Sequence, residues 1–279
     1  MHSARAVQGA SYPQQVPEER RAAAFFDLDK TIIAKSSTLA FGKPFFHGGL
    51  LNRRAVLRSA YAQFVFALAG ADEDQMDRMR SYLASMCAGW DVQQVRDIVD
   101  ETLHKVIDPL VHTEAVELIA SHHETGRAVY VVSASGSEVV EPIAKMLGAD
   151  AAIATTMVVR DGRYTGEIEF YAYGPAKAEA IVRVADENGY DLADCYAYSD
   201  SVTDLPMLEA VGHPAAVNPD RALRKEAIQR GWQVLSFSNA TPLRERIRPA
   251  AAGSVTLGAA GLAAAGAVWL LHRRRAKAS

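Results

Sequence analysis

The chain has 279 residues, 49% of them apolar and 23% charged, enough to bury a full core in one large domain or in one domain with an insertion. A net charge of −3, with no basic stripe before the extreme C-terminus, excludes a nucleic-acid-binding footprint. Two isolated cysteines, Cys87 and Cys195, exclude a disulfide framework or a zinc site and point to a reducing compartment.

In chain order, "MHSARAVQGASYPQQVPEERR" (1–21) has no apolar segment of the kind a secretory signal needs and reads as a flexible leader. "AAAFF" (22–26) is a continuous apolar run, the pattern of a strand buried in a parallel sheet. It runs straight into Asp27 and Asp29, which raises the question of what neutralises two carboxylates at such a place. From 36 to 108 no strand signal appears, and the apolar spacing at 50–68, 73–88 and 91–107 predicts amphipathic helices. A helix over 112–124 and a strand over 128–135 follow, then a helix over 137–147 stopped by Gly148. "AAIATTMVVRDGRYTGEIE" predicts a hairpin turning at Asp161-Gly162. Beyond it come a helix (176–188), a strand (194–200), a short helix ("LPMLEAV"), a strand (214–218), a helix (220–230) and a strand (232–237).

This alternation predicts an α/β fold, a parallel sheet flanked by helices, with an all-helical block inserted after the first strand. The core is expected over 22–35 and 109–240, the helical cap over 36–108, and a linker over 241–250. Residues 251–271, "AAGSVTLGAAGLAAAGAVWLL", form an uncharged apolar stretch about as long as a bilayer is thick, and predict a C-terminal apolar helix serving as a membrane span. A basic tail (272–279) ends the chain. Arginines flank both ends of the span, so charge does not set its orientation; the catalytic part is expected on the cytoplasmic side.

Polar residues gather where these strands end. Asp27 and Asp29 follow the first strand, Ser133 closes the second, Asp200 closes a later one, and Asp204 opens the next helix. Lys177 opens the helix before the Asp200 strand. Strand ends of one parallel sheet share a rim, where ligands bind in open α/β folds. Hard carboxylate oxygens suit Mg²⁺, while a lysine and a serine beside free backbone N–H groups suit a phosphate. Each residue alone has a plainer reading: Asp204 as a helix cap, Lys177 as a solvated side chain, Ser133 as a turn residue. Their conjunction points to phosphate chemistry.

The order "DLDKT" (27–31), "VVSAS" (131–135), Lys177 and "SDSVTD" (199–204) resembles the haloacid dehalogenase superfamily, over roughly 22–240. A helical insertion directly after the first motif resembles the subfamily that includes phosphoserine phosphatases, with a Rossmann-like core. The resemblance implies Asp27 as the nucleophile and Asp29 as general acid and then base. It implies Ser133, Lys177 and Thr31 as contacts to the phosphate. It also implies Mg²⁺ held by Asp27, Asp29 through its backbone carbonyl, and Asp200, with Asp204 in support. Thr203 stands where relatives often carry Asn, a departure that bears on metal affinity rather than on the chemistry.

The expected activity is therefore Mg²⁺-dependent hydrolysis of a phosphate monoester through an aspartyl-phosphate. A phosphotransferase or mutase using the same intermediate, and a membrane-tethered binding protein, are the competing readings. Phosphoserine phosphatases of this kind carry a Glu soon after the nucleophile motif to hold the substrate ammonium. Here no acidic residue lies between Asp29 and Asp72; the segment offers Lys35, Ser36, Ser37 and Lys43, then Phe41, Phe45 and Phe46. That favours a small phosphorylated metabolite or a lipid-linked phosphate, neutral or anionic in its body, over phosphoserine. The three phenylalanines fit either a substrate lining or the packing of cap onto core.

Overall fold

A computed structural model describes residues 22–51 and 84–238. The first apolar run forms strand β1 (Ala23–Asp27), buried along its whole length. It is the middle strand of a seven-stranded sheet completed by β2 (Ala128–Gly136), β3 (Ala151–Arg160), β4 (Arg163–Phe170), β5 (Tyr196–Ser199), β6 (His213–Val217) and β7 (Gln233–Leu235), in the order β4-β3-β2-β1-β5-β6-β7. Every neighbouring pair is parallel except the β3–β4 hairpin. Its turn residues Asp161 and Gly162 both have positive φ (50° and 74°), which the twist of a two-residue hairpin requires.

Eight α-helices are described: α1 (Ser37–Ala40), α2 (Gly42–His47), α3 (Val92–Ile107), α4 (Thr113–Glu124), α5 (Ser137–Leu147), α6 (Pro175–Asn188), α7 (Leu205–Glu209) and α8 (Arg221–Arg230). In α3 the Asp91 carboxylate caps the first turn by accepting from the Gln94 N–H (3.2 Å). Val92, Val95, Val99, Leu103 and Ile107 recur at helical spacing and form its buried stripe. One core cluster holds Phe25, Tyr130, Ile181, Met207 and Leu208; Phe26 stacks on Tyr198 with ring centroids 4.4 Å apart.

Two strands are shorter than their patterns predict, and for the same reason. Over 194–200, Cys195 spends its N–H on the Leu192 carbonyl (3.2 Å), closing a 3₁₀ turn before the ladder begins. Over 232–237, the Asn218 side chain both accepts from the Phe237 N–H (3.0 Å) and donates to its carbonyl (2.9 Å), which takes that residue out of the sheet. Of the helices predicted over 50–68 and 73–88, only the extreme ends fall within the described residues. The leader (1–21), the linker (241–250), the apolar helix and span (251–271) and the basic tail (272–279) lie outside them. Among the described residues no helix is long and apolar enough to cross a membrane.

The insertion leaves and rejoins the core through a narrow neck. Ile33 and Val111 form an isolated antiparallel bridge, the Ala34 N–H donates to Leu110 (2.8 Å), and the His112 N–H donates to Ile32 (2.9 Å).

Candidate active site

Because β1 lies between β2 and β5, the chain crosses away from it in both directions, which opens a crevice at the carboxyl ends of these three strands. Asp27 is the last residue of β1 and pairs with Val132, so Ser133 is its neighbour on one side. Ser199 ends β5 on the other side and Asp200 follows it directly. Ser133 does not end β2, as its position in the pattern predicts: regular pairing stops at Ser133–Ala154, and the strand continues through an irregularity to Gly136.

Lys177 reaches this rim from the first turn of α6. The turn before it is set by Gly174, whose φ of 55° and ψ of −126° suit only glycine, and by Pro175, which fits the first helical position. The ammonium donates to Asp27 Oδ1 (2.6 Å) and to Asp204 Oδ2 (2.8 Å). All three side chains are buried. Thr31, fully buried, donates to the other Asp27 oxygen (3.1 Å). Asp204 stands at the start of α7 yet makes no side-chain cap; its Oδ2 accepts instead from Lys177 and from Ser199 Oγ (2.7 Å).

Asp29 belongs to a second set. Its Oδ1 accepts from the Ser37 N–H (2.7 Å) and its Oδ2 from Ser135 Oγ (3.2 Å). The Ser135 hydroxyl is in turn close to Ser37 Oγ (2.8 Å) and Thr38 Oγ1 (3.0 Å), while the Ser135 N–H donates to Ser133 Oγ (3.1 Å). The structure therefore joins Asp27, Thr31, Lys177 and Asp204 in one bonded group and links Asp29 to Ser133 through Ser135. Asp200 is buried near Asp204, its backbone carbonyl accepting from the Asp220 N–H (2.8 Å).

Charge is unbalanced here. Four carboxylates, Asp27, Asp29, Asp200 and Asp204, share the site with one buried cation, Lys177, which contacts Asp27 and Asp204. Burial pushes Asp27 up, to about 8, against the opposing pull of Lys177. Burial likewise raises Asp29, against the hydrogen bonds from Ser37 and Ser135, and raises Asp200 to about 6, with exposed Lys30 opposing. Burial disfavours the Lys177 charge too, but Asp27 and Asp204 outweigh it and its pKa is raised, so it stays protonated. The donor set is all oxygen, which suits a hard divalent cation and nothing softer. Among the described residues no three His, Cys, Asp or Glu side chains form a metal-binding group. The set named from sequence needs only two carboxylate side chains, with a backbone carbonyl as the third donor.

Ser135 and Ser199 were not singled out from sequence. Ser199 carried a signal, as the last residue of a strand directly before Asp200; Ser135 acts across 106 residues on Asp29, and spacing cannot show that. The phenylalanines divide. Phe41 and Phe45 are buried and stack on each other (5.9 Å), and Phe45 meets Trp90 edge-on (5.8 Å), so both pack the cap segment; Phe46 is partly exposed.

Residues 24–209 match the family model described as haloacid dehalogenase-like hydrolase. The chain belongs to this family. The hydrolase is 64% identical over 270 residues to a Mycobacterium tuberculosis protein described as "probable phosphatase", a match covering 94% of each chain. It is 62% identical over 264 residues (92% of this chain, 95% of the other) to the "inhibition of morphological differentiation protein" of Streptomyces azureus. A phosphoserine phosphatase of M. tuberculosis is 33% identical over 271 residues (96% and 86%). Among solved structures, a Bordetella pertussis protein of unknown function is 31% identical, with a TM-score of 0.69 over 77% of this chain and 98% of its own. With these relatives, the haloacid dehalogenase-like hydrolase is of the phosphatase kind.

Proposed function

We propose that this hydrolase cleaves a phosphate monoester with Asp27 as nucleophile and Asp29 as proton carrier. One observation supports this reading above the others: two carboxylates two residues apart hold wholly different partners. Asp27 is gripped by Lys177 and Thr31 at the strand end. Asp29 is turned away, onto Ser37 and Ser135. A nucleophile and an acid must be separated in this way, each held at its own angle to the phosphorus.

In the reaction an Asp27 oxygen attacks phosphorus, the ester P–O bond breaks, and the leaving oxygen takes the proton from Asp29. Asp29, now ionised, removes a proton from water, whose oxygen displaces Asp27 and releases inorganic phosphate. Lys177 and the Ser133 hydroxyl offset the charge on the equatorial phosphoryl oxygens. Asp27, the Asp29 carbonyl and Asp200 are the groups that would hold Mg²⁺. When bound, the ion supplies charge neutralisation and Lewis acidity toward the phosphoryl group. Asp204 serves this centre through Lys177 and Ser199.

The test is release of phosphate from p-nitrophenyl phosphate by the purified protein. Activity is expected to vanish in chelator and return with Mg²⁺, and Mg²⁺ is expected to raise the melting temperature of the metal-stripped protein whether or not substrate is present. Full turnover after exhaustive chelation would overturn the metal assignment. Across a panel of phosphate esters, phosphoserine is expected to rank well below the best ester lacking an amino group, because the segment after Asp29 supplies lysines and no carboxylate to an ammonium. A panel in which phosphoserine comes first would refute this. A C-terminal membrane tether belongs to the same proposal, on the strength of the apolar stretch 251–271. Full-length protein is expected in the membrane fraction, and a chain ending at 250 in the soluble one.

A further inference from the structure

A cavity of about 980 Å³ lies between α1–α2 and α3 and extends to Lys30, the residue after Asp29. Ser36 lines it too, and its neighbour Ser37 holds Asp29 through its N–H. Its cations are Lys30, Lys35, Lys43 and Lys105, contributed by the loop after β1, by α2 and by α3, with His47 at the same wall. Glu101 is the one acidic residue among those described as lining it. Between the charges the walls are apolar, formed by Leu39, Pro44, Ile98, Val106 and Leu110. Leu39 is 59% exposed.

Like charges brought together from three separate elements repel one another, and of the four only Lys30 acts on a carboxylate of the site, Asp200. Lys35, Lys43 and Lys105 are exposed and form no ion pair among the described residues. An anion set among them would relieve the repulsion, and an apolar linker would cover the wall leading from them to the rim.

We infer that this cavity receives the non-reacting end of the substrate, and that this end bears a second anionic group joined to the reacting phosphate by an apolar body. The inference rests on the phosphatase reading for the place of the reacting phosphate. It goes beyond that reading in naming what holds the remainder of the molecule.

The test compares α,ω-alkanediol bisphosphates of increasing length with alkyl monophosphates of the same length, using the full chain. At the best-fitting length the bisphosphate is expected to exceed the monophosphate about tenfold in kcat/KM, and Lys43→Gln with Lys105→Gln is expected to erase about that factor, the size of one lost charge-assisted contact. The measured quantity is the ratio between the two ester types, so a general loss of fold or activity cannot imitate the result. No preference at any length, or a preference that survives the double substitution, overturns the inference while hydrolysis of the monophosphate keeps the phosphatase reading. Calorimetric titration with the matching alkane bisphosphonates separates the reverse case. Binding that weakens in the double variant, in a protein that hydrolyses nothing, keeps the cavity assignment and rejects the phosphatase; no binding and no hydrolysis rejects both.

Discussion

Asp27→Asn is expected to lower kcat by at least about 10⁴-fold while the protein keeps its fold and its melting temperature. An amide oxygen is uncharged and far less nucleophilic than a carboxylate, too weak to displace the leaving group from phosphorus. The substitution is nonetheless gentle on the structure. An Asn carbonyl can accept from the Lys177 ammonium as Asp27 Oδ1 does, and the Thr31 hydroxyl can rotate to accept from the new amide rather than donate. Lys177 keeps the Asp204 carboxylate as a charged partner. Burial already disfavours charge at Asp27, so the neutral side chain removes a penalty from the folded state. Kinetics and thermal melting on the same preparation check both halves. Near-normal turnover would remove Asp27 from the nucleophile's role.

Lys177→Met should be worse for the molecule as a whole. The ammonium is buried between two carboxylates at 2.6 and 2.8 Å, and its removal leaves Asp27 and Asp204 buried without a counter-charge. Breaking a buried pair on one side costs about 3–5 kcal/mol, far more than the pair contributes relative to an apolar substitute. Urea denaturation is expected to show that loss together with loss of activity. The sign of its pH dependence follows: unpaired carboxylates bind protons more tightly folded than unfolded, so the deficit should shrink as pH falls. Adding Asp204→Asn to Lys177→Met is expected to recover part of the stability and none of the activity. A single variant as stable as the unaltered protein would mean the lysine is not the compensating charge.

Most of the fold was legible because its signals are local. The unbroken apolar run before Asp27, Asp161-Gly162 in the hairpin and the glycines after α5 and α6 each act within a few residues, and each lies where its chemistry predicts. The strand limits that differ are those where side chain or turn competed for a backbone N–H, as at Phe237 and Cys195. For the site, strand ends predicted a shared rim, and Asp27, Lys177 and Asp204 do meet there. Spacing could not predict that Ser37 and Ser135 would hold Asp29, since their contact spans 98 residues of chain. Nor could it separate Phe41 and Phe45, which pack against each other and Trp90, from a substrate lining.

The neck at Ile33 and Val111 lets the inserted segment vary in length at little cost to the core. Its two ends are fastened to each other by backbone hydrogen bonds, at Ala34–Leu110 and Ile32–His112, before any residue between them is specified. A loop whose ends are already pinned adds only about 0.6 kcal/mol of closure entropy for each doubling of its length. Selection can therefore lengthen, shorten or rewrite what lies between while Asp27, Lys177 and Asp204, all outside the neck, stay in register. One link does cross the neck: the Ser37 N–H, inside the insertion, holds Asp29 (2.7 Å), so any rewritten insertion must still supply that donor.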